Sequence, residues 1–413
     1  MRTVGACIIV IFWCVASVTA KPMSDTAWTE DVRYFSETLK KSHCDPFTVT
    51  SENDFDASID RLFSDLPSMT EDQRIGALLR IVASIGDAHT TLDIPRGKTL
   101  PVGIYWFDDG LTVYNCSAPY KKLLNGIIIS LNGIPIRDVI ERLTAIIPHE
   151  NDAQLKNTVP SWITRMEVLK AAGIITQEKS VTICVRSNSG KLTETAVVPI
   201  GYEEVPNVVW AGGLPDEQRK PYFLKDRSKF YWFVTDVPTG IVYCAYNVCA
   251  EWPKESFADF QARLLPAIDS DACKALVIDL RNNGGGNSAV FDPLIDAVIK
   301  RKKAGTLPTV YCVVGRRTFS SAILNAMRLR TELGVIVIGE PTGGSPNHFG
   351  EVKTFTLPNS GMTVSYSTNY FKTTDSDSRS LLPDIPIGLT LTQYSDYRDP
   401  VWDYIVKNIQ EQE

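Results

Sequence analysis

Apolar positions recur at helical spacing from Ala27 to about Ile85: Trp28, Val32, Tyr34, Phe35 and Leu39, then Phe55, Ile59, Leu62, Phe63 and Leu66, then Ile75, Leu78, Leu79, Ile81 and Val82. Charged residues fill the gaps, and Ser68-Met69-Thr70-Glu71-Asp72 reads as a helix start, so residues 21–97 are expected to form an N-terminal helical cap. Gly86 breaks the pattern, and Asp87-Ala88-His89-Thr90 follows as a short loop running into an extended segment. From 98 to 200 the period shortens to that of strands, over Ile104–Phe107, Leu111–Tyr114, Gly126–Leu131 and Val181–Arg186, with one helix from Ile136 to Ile147. Residues 201–239, rich in Pro, Gly and aromatics, form a connector that ends in a strand at Phe230–Phe233.

From Gly240 to the end, apolar strands alternate with amphipathic helices. The strands are Ile241–Tyr243, Ala275–Leu280, Thr309–Val314 and Val335–Ile338; the helices are Phe257–Ile268, Ala289–Ile299 and Ser321–Leu329. Buried strands with crossing helices predict an α/β core over 240–413. In the β-rich stretch, a strand, Asn132-Gly133 and a helix occur in an order that resembles the second half of a PDZ-like module, which binds chain ends by adding a strand to its sheet. An ordinary β-rich insert has the same pattern.

Composition narrows the setting. Residues 1–20 carry Arg2, an apolar run Ile8-Ile9-Val10-Ile11-Phe12-Trp13 and a small-residue end at Ala20, which predicts a secretory signal peptide and a secreted mature chain. No later stretch has the length and apolarity of a membrane span. The net charge of −6 disfavours nucleic acid as a partner. Seven cysteines follow the leader; Cys184, Cys244, Cys273 and Cys312 lie in or beside strand-like runs and read as small buried hydrophobes, while one or two disulfides stay open in an oxidising compartment.

Two corners carry candidate chemistry. Thr309–Val314, then Gly315-Arg316-Arg317-Thr318-Phe319-Ser320-Ser321, then a helix, places a serine pair at a strand-to-helix turn, where unpaired backbone N–H groups favour developing negative charge. The same residues also suit a helix N-cap. Asp279-Leu280-Arg281-Asn282-Asn283-Gly284-Gly285-Gly286 places three glycines after a buried strand, where backbone N–H groups can face a ligand. No GxGxxG, Walker motif, HExxH or paired-cysteine site is present, so no cofactor and no metal is expected.

These two motifs, with Gly339-Glu340-Pro341-Thr342-Gly343-Gly344 and Pro383-Asp384-Ile385 in the same order, resemble the tail-specific or C-terminal-processing serine peptidases, including the branch of the tricorn core protease and the chlamydial protease-like factor. The resemblance implies a ClpP/crotonase-like spiral core and a serine endopeptidase acting on proteins or peptides, with oligomers an open matter. It puts the nucleophile at Ser320 and the oxyanion donors at Ser321 and Gly285. Ser345 stands where Ser-Lys members of the family carry their lysine, and a hydroxyl cannot take the serine proton at neutral pH. In the histidine-using branch the base falls on His89, with His348 the rival; imidazole is suited to proton transfer near neutrality. His43 and His149 read as surface or capping residues. By position and charge, the third group falls on Asp377, with Asp375 as alternative. Loss of the lysine leaves a second class open, a non-catalytic retinoid-, lipid- or peptide-binding module of the same superfamily.

Overall fold

The computed structural model describes residues 23–177 and 179–412, so the predicted leader lies outside the described residues. Three helices open the chain: Asp25–Ser42, Glu52–Asp65 and Glu71–Ser84. Each has a hydroxyl N-cap, Ser24, Ser51 or Thr70, and Thr70 completes a reciprocal capping box with Gln73. Their apolar stripes bury Trp28, Val32, Phe35, Phe55, Leu62, Leu78 and Val82.

The next unit is an antiparallel sheet, with strands Val102–Phe107, Gly110–Cys116, Gly126–Leu131, Val181–Arg186 and Leu192–Val197 in that order. Asn132 and Gly133 both take positive φ, 46° and 78°, which lets a two-residue turn fold Ile134–Pro135 back on the third strand. Between the third and fourth strands lie the expected helix, at Ile136–Thr144, and two the spacing does not predict, Asp152–Trp162 and Met166–Ala171. The first of these has little apolar stripe and carries Pro160 inside it, which hides it from a periodicity reading. One apolar core runs from the opening helices through this sheet, joining Trp28 and Leu79 to Val113, Val168 and Val197.

The third unit is a six-stranded sheet. Tyr231–Asp236 pairs antiparallel with Ile241–Tyr246; Ala275–Asp279, Thr309–Val314, Ile336–Gly339 and Ile385–Pro386 then follow in parallel. Every residue of Ile241–Tyr246 and of Ala275–Asp279 is buried, because both faces are covered. Val242, Cys244, Leu276, Ile278 and Cys312 face the helices Phe257–Ile268, Asp292–Ala304 and Ser321–Arg328; Ile241, Tyr243, Val277 and Tyr311 face the helix Pro400–Gln410. The mixed α/β architecture is the expected one. Among the described residues every cysteine is free, and Cys184, Cys244 and Cys312 are buried, with Cys273 partly so. No described helix is long and apolar enough to cross a membrane.

A small sheet joins the ends of the chain. Thr91–Asp93 pairs antiparallel with Thr363–Ser365 of a long hairpin, His348–Thr356 and Thr363–Phe371, which the apolar pattern does not predict. This pairing fixes the loop that carries His89.

Gly76 lets the helix Glu71–Ser84 lie against Met166–Ala171: a Cβ there would overlap the Ala171 carbonyl oxygen, a backbone atom that cannot rotate away. Gly76→Ala gains up to about 1 kcal/mol of helix propensity but incurs overpacking of about 1–3 kcal/mol. It should therefore lower Tm in a thermal melt.

Candidate active site

The turn after Thr309–Val314 is tied to the glycine loop after Ala275–Asp279. The Thr318 hydroxyl donates to Leu280 O at 2.8 Å and accepts the Gly315 N–H at 3.0 Å; the Phe319 N–H donates to Asn283 O at 3.1 Å; the Ser321 hydroxyl donates to Gly286 O at 2.6 Å. Held this way, Ser320 takes φ 52° and ψ −129°, backbone that a residue with a Cβ rarely adopts and that costs about 1–3 kcal/mol. Ser320 makes no side-chain cap to the helix Ser321–Arg328, so the N-cap reading does not describe it.

The Ser321 N–H, first in that helix, has no acceptor among the described residues. Gly285 lies against the same corner, and a Cβ on it would stand 2.7 Å from Ser320 Cβ. Its N–H, expected as the second oxyanion donor, is occupied: it donates to Asn283 Oδ1 at 2.9 Å. The sequence could not show this, because Asn283 turns its side chain back onto its own loop.

His89 reaches this corner from the other end of the chain. Its ring stacks on Phe319, the residue before Ser320, at 4.5 Å between centroids, and on His348 at 5.7 Å. The His89 side chain is 8% exposed, and both of its ring nitrogens lack a hydrogen-bond partner. Asp87 Oδ1 stands 3.7 Å from His89 Nδ1 and accepts the His89 backbone N–H at 2.8 Å. Its other oxygen accepts from His43 Nε2 at 3.1 Å, Thr90 Oγ1 at 2.6 Å and Ser367 Oγ at 2.7 Å. Burial works against this charge, but those donors outweigh it and hold the Asp87 carboxyl well below the ordinary carboxylate range. His43 takes the Asp45 N–H on Nδ1, so its proton sits on Nε2 and points at Asp87. It closes its helix as a capping residue should, yet its ring is buried under the site rather than on the surface. His149 is half-buried against Ile147 O.

His348 donates from Nδ1 to Ser345 O at 2.9 Å and leaves Nε2 buried without a partner. Burial, aided by the nearby His89, pushes its pKa down to about 4, so it is neutral and weakly basic. The acids expected from position are not beside either ring. Asp375 is 98% exposed and pairs with Lys372 at 2.8 Å; Asp377 is exposed, on the wall of a cleft it shares with His348 and Glu150, and neither comes within ion-pair distance of a histidine. The carboxylates that do approach His89 are Asp87 and Glu150; these two and His89 can bring one ligand atom each within 4.8 Å of one another, the set best placed among the described residues to hold a cation. Burial pushes Glu150 up to about 7, against the Ser345 N–H that donates to it at 2.7 Å. Nothing local marks Glu150 in the sequence; it arrives at the start of the unanticipated helix Asp152–Trp162.

By sequence, no family model and no curated protein matches the chain. Among solved structures, mature CPAF complexed with lactacystin matches with a TM-score of 0.64 at 15% identity, over 94% of this chain and 99% of that one. The chain has the fold of CPAF. A serine-to-alanine mutant of CPAF matches at 0.66 and 13% identity, over 94% of this chain and 97% of CPAF. The tricorn protease matches at 0.43 and 13%, over 94% of this chain and 37% of the tricorn chain. The likeness to CPAF therefore spans the cap, the antiparallel sheet and the core together.

Glu150 gives the site a pH signature. Its folded value of about 7 lies above the ordinary 4.5, so between those pH values the folded chain keeps a proton that the unfolded chain has released. Stability falls as pH rises through that window and stays down above it. Glu150→Gln removes the effect: its Tm relative to the parent should rise between about pH 4.5 and 7 and level off above. A Tm difference that ignores pH would refute the assignment.

Proposed function

We propose that this chain is a secreted serine endopeptidase, and the observation that carries the reading is the stacking of His89 on Phe319, beside a strained Ser320. Ser320 Oγ attacks the scissile carbonyl while His89 takes its proton and later returns it to the leaving amine; water then hydrolyses the acyl-enzyme. Asp87 is the orienting carboxylate in place of Asp377, because it is fixed by four donors on the Nδ1 side of the ring. Its 3.7 Å separation from Nδ1 is longer than a hydrogen bond, as apo catalytic contacts often are before substrate tightens them.

The Ser321 N–H supplies one oxyanion donor. The Gly285 N–H can supply the second only by sharing itself with Asn283 Oδ1. Ser345 takes no part as base; its N–H holds Glu150 and its hydroxyl donates to Arg379 O. We also read the parallel strands as a ClpP/crotonase-like core and the antiparallel sheet as PDZ-like, on the turn at Asn132-Gly133 and the helix after it.

Ser320→Ala should abolish hydrolysis of a casein-type substrate and labelling by a fluorophosphonate while leaving the thermal melt intact. A parent protein that neither cleaves nor takes the label would favour the non-catalytic binding module. The acid is tested by a pair of variants: Asp87→Asn should lower kcat by about 10²–10⁴-fold, whereas Asp377→Asn should leave it within about twofold, as expected of a surface change. The reverse ranking would restore Asp377.

A further inference from the structure

The ring of His89 has more bonding capacity than the described residues use. Its side chain is 8% exposed, yet neither ring nitrogen has a hydrogen-bond partner. In the ring stacked along it, His348 Nε2 is buried and unpartnered as well. Polar nitrogens buried in this way are costly, so each calls for a physical reason. Two carboxylates stand around His89: Asp87 from its own loop, and Glu150 from just before the helix Asp152–Trp162. One ligand atom from each of these three residues lies within 4.8 Å of the others.

The spacing suits a metal ion better than a hydrogen bond. Asp87 Oδ1 stands 3.7 Å from His89 Nδ1, beyond hydrogen-bond range. Two ligands on one tetrahedral Zn²⁺, each at about 2.0 Å, lie about 3.3 Å apart. Of the two Asp87 oxygens, Oδ2 takes the donors His43, Thr90 and Ser367, while among the described residues Oδ1 accepts only the His89 N–H and so keeps a lone pair. An imidazole nitrogen with two carboxylate oxygens is a zinc donor set, and water completes the fourth position of an open site. The ion has a way in. Glu150 lines a cleft of about 400 Å³ that also presents the exposed carboxylates of Asp45 and Asp377 against one cation, Arg379, and such a balance of charge draws cations.

We propose that His89, Asp87 and Glu150 form a reversible Zn²⁺ site and that the bound ion holds the chain inactive. A neutral imidazole has a single nitrogen lone pair to give. Zinc takes it, the ring proton stays on the other nitrogen, and nothing remains to accept the proton of Ser320. The metal-bound and proton-accepting states of His89 therefore exclude one another. The binding stands on the geometry alone; the inhibition rests on the peptidase reading.

Zinc binding is measured by equilibrium dialysis on the full chain carrying Cys44→Ser, since Cys44 is an exposed thiol on the wall of the same cleft. Excess Mg²⁺, which prefers oxygen ligands, keeps sites made of carboxylates alone from counting. One Zn²⁺ per chain should bind. His89→Ala should abolish the binding, and Glu150→Gln should weaken it by about tenfold or more, since loss of even a hydrogen-bonding partner of a ligand costs that much. A thermal melt checks that each variant is folded; should His89→Ala not fold, Glu150→Gln carries the test. Zn²⁺ should stop cleavage of a casein-type substrate and EDTA restore it, with half-inhibition moved in Glu150→Gln by the same factor as the binding.

Absence of binding, or binding that survives either change unaltered, overturns the site and leaves Ser320-dependent cleavage untouched. Binding that needs both residues, with cleavage persisting at full zinc occupancy, overturns the inhibition. Binding that needs both residues in a zinc-free protein that never cleaves overturns the peptidase reading instead and leaves the site standing.

Discussion

The site depends on one buried carboxylate. Asp87 is 1% exposed, and a charge taken from water is costly unless donors surround it. Its donors come from the end of the first helix, from its own loop and from a hairpin near the far end of the chain: His43, the His89 N–H, Thr90 and Ser367. None of these segments holds the group alone. The Asp87 loop is therefore held between the helical cap and the hairpin, and these two place the imidazole it carries.

The serine corner is built on the same plan at shorter range. Thr318, Phe319 and Ser321 bond to Leu280, Asn283 and Gly286, so two loops at neighbouring strand ends hold one another. That mutual hold sustains the positive φ of Ser320, which a free turn would relax. Phe319 then joins the corner to the imidazole, its ring against His89, while His348 closes the other side as a neutral wall.

Much of the architecture was legible because its causes are local. The strand Thr309–Val314 and the helix Phe257–Ile268 follow from runs whose period and caps decide them within a few residues. The helix Asp152–Trp162 was hidden, since it carries a proline and packs without a clean stripe. The hairpin His348–Phe371 is hidden from a periodicity reading because much of its first strand is exposed, so it lacks the alternation of a half-buried strand. With it went Ser367, a donor to Asp87, and the pairing to Thr91–Asp93 that aims His89.

The candidate acid shows where local reading ends. Asp377 follows from the order of motifs, yet order along the chain does not say which carboxylate loses its water. By itself the sequence determined the α/β class, the serine at a strand-to-helix corner, the glycine loop beside it and the histidine on a loop after the cap, because each is written in a contiguous stretch. Only the tertiary structure decided that Asp87 and Glu150, and not Asp375 or Asp377, stand by the imidazole, and that Gly285 gives its N–H to Asn283. Burial and proximity set the energy of a charge, and both belong to segments brought together from opposite ends of the chain.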